Sequence, residues 1–139
     1  MGDLNVVGIV LAALATFASG FAWFNGKTFY FTWWRLMNRD RPMPTQADGG
    51  GGVMFAGLTV AIVVQTIVLE VILDAFRNDA GYVGTLAGAG WGLLVGVVIS
   101  AAALGHRLFG GHGFKVWMIE VGNDVLNCVI IGAILGSFN

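Results

Sequence analysis

Four long apolar stretches dominate the pattern of hydrophobic and polar positions along the chain. They cover about residues 4–24, 53–76, 83–108 and 114–138. Each is long enough to cross the roughly 30 Å hydrocarbon core of a bilayer as a helix. Most charged residues lie between the stretches or near their ends. The pattern therefore predicts an all-α integral membrane protein with a single domain, a four-helix bundle made of two transmembrane hairpins.

A shorter amphipathic segment lies between the first two apolar stretches. On a helical wheel of residues 28–39, aromatic and apolar side chains gather on one side and polar side chains on the other. The segment is too short and too charged to cross a membrane, so we expect a helix that lies in the interface plane. An aromatic-rich loop is the alternative, because three consecutive aromatic residues are weak helix formers. Residues 42–52, with Pro42, Pro44 and four glycines, then predict a flexible connector.

Small residues recur every four positions in two of the predicted spans and again near the end of the last one. Such faces allow helices to approach closely. They are Gly8, Ala12, Thr16 and Gly20 in the first span, Gly84, Gly88, Gly92, Gly96 and Ser100 in the third, and Gly132 and Gly136 in the last.

These small faces predict how the spans associate. We expect the first and third spans to pack on each other through them, and the Gly132 face of the last span to suit packing on the third-span glycines. A glycine-lined permeation path is the alternative use of the third span. One bundle needs fewer such faces, so we also expect a homo-oligomer or a subunit of a larger membrane complex, surrounded by membrane lipids.

The last span carries a polar stripe, which is the main candidate for a functional site. Glu120, Asn123, Asp124 and Asn127 fall within roughly a 100° arc of the predicted helix. Such residues cost several kcal/mol in hydrocarbon unless they have partners. Asp124 lies about 15 Å from the start of the span, near mid-membrane.

The second span adds two polar residues to this candidate site, Gln65 and Glu70. Gln65 is expected to be able to hydrogen-bond Asp124, since no lysine or arginine lies at that depth. Basic residues nearer the membrane surface can reach Glu120 by snorkelling, namely Lys27, Arg107 and Lys115. The stripe then either joins helices by hydrogen bonds or forms a proton or small-cation site. A non-enzymatic structural or accessory role is our first hypothesis, and a homo-oligomeric proton or cation channel or transporter is the alternative.

The distribution of basic residues predicts the orientation of the chain. Six of the seven lysines and arginines lie between spans one and two or between spans three and four, and only Arg77 lies in the remaining loop. By the positive-inside rule, both termini are on the non-cytoplasmic side of what we expect to be a prokaryotic cytoplasmic membrane. The expected interfacial anchors are Trp23, Trp33, Trp34, Arg35 and Trp117.

Composition argues against several functional classes. The chain is 57% hydrophobic and 11% charged with a net charge of −1, whereas soluble domains are about 25% charged, and no basic run suggests nucleic acid. His106 and His112 are six residues apart, which fits neither a helical pair nor common zinc spacings. Ser100 and Cys128 have no histidine beside them in sequence. We therefore expect no enzymatic activity, no metal and no cofactor.

Three segments of the chain together match a known pattern. They are WFNG at 23–26, KVWMIEVG at 115–122 and GAILG at 132–136. With them, the chain resembles the bacterial family called domain of unknown function 1761 over nearly its whole length. The resemblance implies a small four-span prokaryotic membrane protein, and it implies no activity.

Overall fold

Five helices make up most of the chain where the computed structural model describes it, at residues 5–37 and 51–138. In chain order they are α1 (Val6–Trp23), α2 (Tyr30–Met37), α3 (Gly51–Ala80), α4 (Thr85–Phe109) and α5 (Phe114–Ser137). All except α2 are long and apolar enough to cross a membrane. The predicted all-α, multi-pass membrane fold is confirmed.

α3 departs most from its predicted bounds. It begins at Gly51, so two glycines of the predicted connector are helical, and it continues to Ala80 instead of ending near residue 76. Its 30 residues extend about 45 Å, which exceeds the roughly 30 Å core of a bilayer. The predicted connector before Gly51, and the last two residues of the predicted interfacial helix, lie outside the described residues.

α5 is the central helix, because it packs against α1, α2, α3 and α4. Its fully buried side chains include Val116, Cys128, Ile131 and Leu135. The last three form one hydrophobic core with Ala12 of α1, Leu69 and Leu73 of α3, and Val83. Burial of these side chains packs α1 and α3 against α5.

α4 and α5 approach so closely that their glycines meet backbone to backbone. A Cβ atom added at Gly88 would collide with the carbonyl oxygen of Gly132, and the reverse substitution would collide with the carbonyl of Gly88. The antiparallel register pairs Gly84 with Gly136, Gly88 with Gly132, Gly92 with Cys128 and Gly96 with Val125. The α4 glycines are thus in contact with protein, which leaves no room beside them for the alternative of a permeation path.

The connection between α4 and α5 reverses the chain within four residues. Gly111 and Gly113 have φ angles of 73° and 81°, a left-handed conformation that glycine adopts without a steric cost. Just beyond this turn, the indole N–H of Trp117 donates to the carbonyl of Ser100 at 2.8 Å. This hydrogen bond joins α5 to α4 where the run of paired glycines ends.

α1 packs against α5 and α3, so the predicted packing of the first span on the third is wrong. Ala12 and Thr16 are fully buried. A Cβ at Gly8 would lie 3.4 Å from the Leu135 side chain of α5. Both small faces therefore pack mainly on α5 and not on each other. Gly20 is the exception to the predicted packing face, because a Cβ added there meets no atom within 4 Å.

α3 and α4 share few contacts although a short connection joins them. Near that connection the rings of Phe76 and Trp91 stack with centroids 4.0 Å apart. The two helices therefore do not pack against each other along their length. They diverge away from the connection, and the first eleven residues of α3 are all exposed.

Candidate functional site

Polar residues form clusters at the two opposite ends of the bundle. One end, which we call the terminal end, contains Asn5 and Phe138, the first and last described residues. The other end, which we call the basic end, contains α2, the end of α4 and the start of α5. The basic end carries Lys27, Arg35, Arg107 and Lys115.

At the terminal end, Glu70 connects α3 to the start of α1. Its side chain is 1% exposed, and its Oε2 atom lies 2.7 Å from Nη2 of Arg77. Its Oε1 atom accepts a hydrogen bond of 3.3 Å from the backbone N–H of Asn5. Asn5 in turn donates from Nδ2 to the carbonyl of Phe138 at 2.7 Å. The cluster therefore fastens both ends of the described chain to α3.

This arrangement separates the second-span residues from the polar stripe of α5. Glu70 lies at the terminal end, whereas Glu120 lies in the second turn of α5 at the basic end. Gln65 donates to Cys128 Sγ at 3.2 Å and makes no hydrogen bond with Asp124. The predicted grouping of Gln65 and Glu70 with the stripe is therefore corrected.

At the basic end, Glu120 holds two other elements against α5. Its Oε1 atom accepts a hydrogen bond from Trp33 Nε1 at 2.9 Å, which attaches α2 to the bundle. Its Oε2 atom forms an ion pair with Arg107 of α4 at 2.5 Å. Of the three basic residues that were candidates to reach Glu120, Arg107 is the one that pairs with it.

The predicted aromatic anchors contact protein at several points. Trp23 donates from Nε1 to the carbonyl of Ile119 at 2.9 Å, and Trp33 and Trp117 bond as described above. The indole nitrogen of Trp34 is buried and has no partner among residues 5–37 and 51–138. Arg35 is exposed and bonds the carbonyl of Phe31 within its own helix. Three of the four tryptophans predicted as anchors thus join helices through their indole N–H groups.

A cavity of about 630 Å³ lies beside the polar stripe. Its walls come from the second half of α1, from α2, from the first half of α3 and from the facing parts of α4 and α5. All four stripe residues line it, and Arg107 lines it as well. The aromatic residues of its walls are Phe17, Phe21, Phe24, Tyr30, Trp33 and Phe55. The stripe of α5 therefore borders an open space on one side.

Three of the four stripe residues lack polar partners within the described part of the chain. Asn123 and Asn127 are 8% and 7% exposed, and their Oδ1 atoms are buried without a hydrogen-bond donor. Asp124 is half-buried, and no hydrogen bond or ion pair to it is formed by residues 5–37 and 51–138. Buried polar groups normally have hydrogen-bond partners. A ligand that supplies hydrogen-bond donors or a positive charge would therefore complement this wall.

Several residues of the cavity walls could not be identified from single segments of the sequence. Sequence patterns singled out the polar stripe, but they did not identify Phe17, Phe21 and Phe24 as a facing wall. A signal for that wall exists, because spacings of four and three residues place these rings on one face of α1. The contributions of α2 and α3 depend on how the helices pack, which no local pattern records.

The described residues contain no group of three or more histidine, cysteine, aspartate or glutamate side chains that could hold a metal ion. One family model matches the chain, and it is described as "Protein of unknown function (DUF1761)". It covers residues 7–136, which include every residue of the cavity wall. No curated protein and no solved structure gives a significant match.

Proposed function

The chain belongs to the family of proteins of unknown function DUF1761, and we propose that it is a non-enzymatic membrane transport protein that binds a positively charged solute at Asp124. The cavity beside Asp124 supports this proposal. The solute would occupy the cavity within the bilayer, and its binding would be one step in moving charge across the membrane. The family supplies no activity, so the proposal depends on the chemistry of the wall.

The unpaired carboxyl group of Asp124 is the observation that carries the proposal. An ionised carboxylate removed from water is costly unless a cation accompanies it. Glu120 forms an ion pair with Arg107, whereas Asp124 forms no ion pair with any of the described residues. Asp124 is therefore stabilised either by a proton or by a bound cation. Alternation between these two states is what a cation transporter requires.

The contacts of the stripe do not support one interpretation of it, that all four residues join helices within the chain. Glu120 does join α5 to α2 and α4. Asn123, Asp124 and Asn127 form no interhelical hydrogen bonds among the described residues. Three polar groups near mid-membrane that hold nothing together favour a binding role over a structural one.

Association with identical copies or with another membrane subunit stays a prediction. The small-residue faces no longer support association, because they are used within the chain. The glycines of α4 and α5 pack against each other, and the small face of α1 is largely buried. An accessory role would need a different surface.

The absence of catalysis also stays a prediction, and two contacts support it. The Ser100 hydroxyl donates to the Gly96 carbonyl of its own helix at 2.7 Å. Cys128 is buried against Gln65. Neither group forms a hydrogen bond with a histidine or a carboxylate of the described residues that could act as its base.

Electrometry on reconstituted liposomes tests the proposal. Jumps in sodium, potassium, proton or tetraphenylphosphonium concentration are expected to displace charge in the wild-type protein for at least one cation. Asp124→Asn keeps the size and shape of the side chain and should reduce that signal at least tenfold. Asp79→Asn is the matched control, because Asp79 is exposed at the end of α3 and outside the cavity.

Two results would contradict the proposal. One is a signal of equal size in the wild-type protein and in Asp124→Asn. The other is a wild-type signal that never exceeds that of empty liposomes for any of the four cations.

A further inference from the structure

We infer that the solute is a hydrophobic organic cation, whose charge lies at Asp124 and whose apolar part contacts the aromatic walls of the cavity. This inference rests on the proposed function and specifies its substrate class. Four properties of the cavity support it: its size, its aromatic walls, its charge and its opening.

The size of the cavity suits an organic molecule. At about 630 Å³ it falls within the range of roughly 300–1,000 Å³ that is typical of small-molecule sites. A bare inorganic cation needs a close shell of about six or more oxygen atoms. The cavity offers side-chain oxygens mainly along one face of α5, opposite apolar walls. Such a shape does not enclose a bare ion.

Aromatic rings from three helices surround the space. The rings of Phe21 of α1 and Phe55 of α3 have centroids 6.2 Å apart. Those of Phe24, which directly follows α1, and Trp33 of α2 are 5.8 Å apart. Tyr30 lies beside Trp33 at 6.3 Å. Aromatic faces attract organic cations through the ring quadrupole, and they also contact apolar groups. A ligand that is both apolar and positively charged uses both properties.

The charge of the wall favours a single positive charge. The ionisable groups that face Asp124 are Glu120 on its own helix, Arg107 on α4 and Tyr30 on α2, while α1 and α3 contribute none. Glu120 and Arg107 neutralise each other, which leaves one carboxylate in excess among the described residues that line the cavity. An anion would lie beside that carboxylate, and a neutral ligand would leave it without a partner. A monovalent cation balances the site.

The opening of the cavity lies on the side of α3, where α3 has diverged from α4. Met54, Phe55 and Leu58 line the cavity although they are 70%, 53% and 47% exposed. The wall is therefore incomplete along an apolar helix that is predicted to cross the membrane. A hydrophobic cation that has partitioned into the bilayer can enter by this route without crossing a polar barrier.

Equilibrium dialysis of the purified full-length protein in detergent tests the inference. The probes are tetraphenylphosphonium and tetraphenylborate, which have nearly the same shape and opposite charges. We expect saturable binding of tetraphenylphosphonium above the level of empty micelles, and no saturable binding of tetraphenylborate. Asp124→Asn should weaken tetraphenylphosphonium binding at least tenfold.

A cavity-filling variant tests the inference without changing the charge of the cavity. Gly20 lines the cavity, and a Cβ atom added there meets no atom within 4 Å. Gly20→Leu should therefore fold, fill part of the cavity and weaken binding at least tenfold. Gly57→Leu is the matched control, because Gly57 also has open space around it but lies outside the cavity. Its binding should equal that of the wild-type protein.

The outcomes separate this inference from the proposed function. Equal binding of the two probes, or unchanged tetraphenylphosphonium binding in Asp124→Asn or Gly20→Leu, would overturn the inference. If sodium, potassium or proton signals depend on Asp124 while tetraphenylphosphonium does not bind, the inference is wrong and the proposed function stands. If no cation gives an Asp124-dependent response, both are wrong.

Discussion

Replacing Gly88 by leucine is expected to separate α4 from α5 and to destabilise the bundle strongly. A Cβ atom at this position collides with the backbone carbonyl of Gly132 and lies 3.1 Å from the Cα atom of Gly136. No flexible side chain can yield, so one helix backbone must move. Overpacking of a core typically costs about 1–3 kcal/mol and sometimes more, and we expect the loss to exceed that range because backbone must move.

Titration with sodium dodecyl sulfate in mild detergent, followed by tryptophan fluorescence, measures this loss. Gly90→Leu is the matched control, because Gly90 lies on the same helix and a Cβ there meets nothing within 4 Å. The control should unfold with the wild-type midpoint. Coincident unfolding curves for Gly88→Leu and Gly90→Leu would show that close contact between α4 and α5 does not stabilise the fold.

Replacing Arg77 by leucine should cost about 3–5 kcal/mol of stability, the loss typical when one partner of a buried ion pair is removed. Glu70 is 1% exposed, and without Arg77 its charge would have no counter-ion among residues 5–37 and 51–138. Glu70→Leu should cost less, because Arg77 is 17% exposed and lies near the end of α3, where its guanidinium can reach the membrane surface.

The double variant Glu70→Leu with Arg77→Leu tests the cause of this asymmetry. It removes both charges, so it should be more stable than Arg77→Leu alone when the same detergent titration is applied. Equal stabilities of the two single variants would contradict this account of the terminal end. So would a double variant that is less stable than either single variant.

The elements of this fold could be predicted because their signals are local. Length and hydropathy define the four long helices, and a four-residue spacing of glycine marks the faces where α4 and α5 meet. The choice among partners is not local. By sequence alone, the small face of α1 could pack against any of several helices. In the structure it packs against α5 and α3 and not against α4.

In the candidate site, too, a local pattern could be predicted and the contacts between helices could not. A helical wheel places Asn123, Asp124 and Asn127 on one face, and the structure keeps them together on the cavity wall. Depth along a helix does not define the direction in which a side chain points. Gln65 therefore meets Cys128 instead of Asp124, and Glu70 belongs to the terminal end. The cavity itself arises from the divergence of α3 and α4, which the short connection between them does not predict.

Protection of Asp124 from dicyclohexylcarbodiimide tests most directly whether this carboxyl group holds the cation. The reagent adds the O–H of a protonated carboxyl group in an apolar setting across one of its C=N bonds, and peptide mass spectrometry locates the adduct. The expected adduct is on Asp124, with Glu120 and Glu70 spared because each is paired with an arginine. Saturating tetraphenylphosphonium should slow its formation at least tenfold. Labelling of Asp124 at the same rate with and without tetraphenylphosphonium would contradict the assignment.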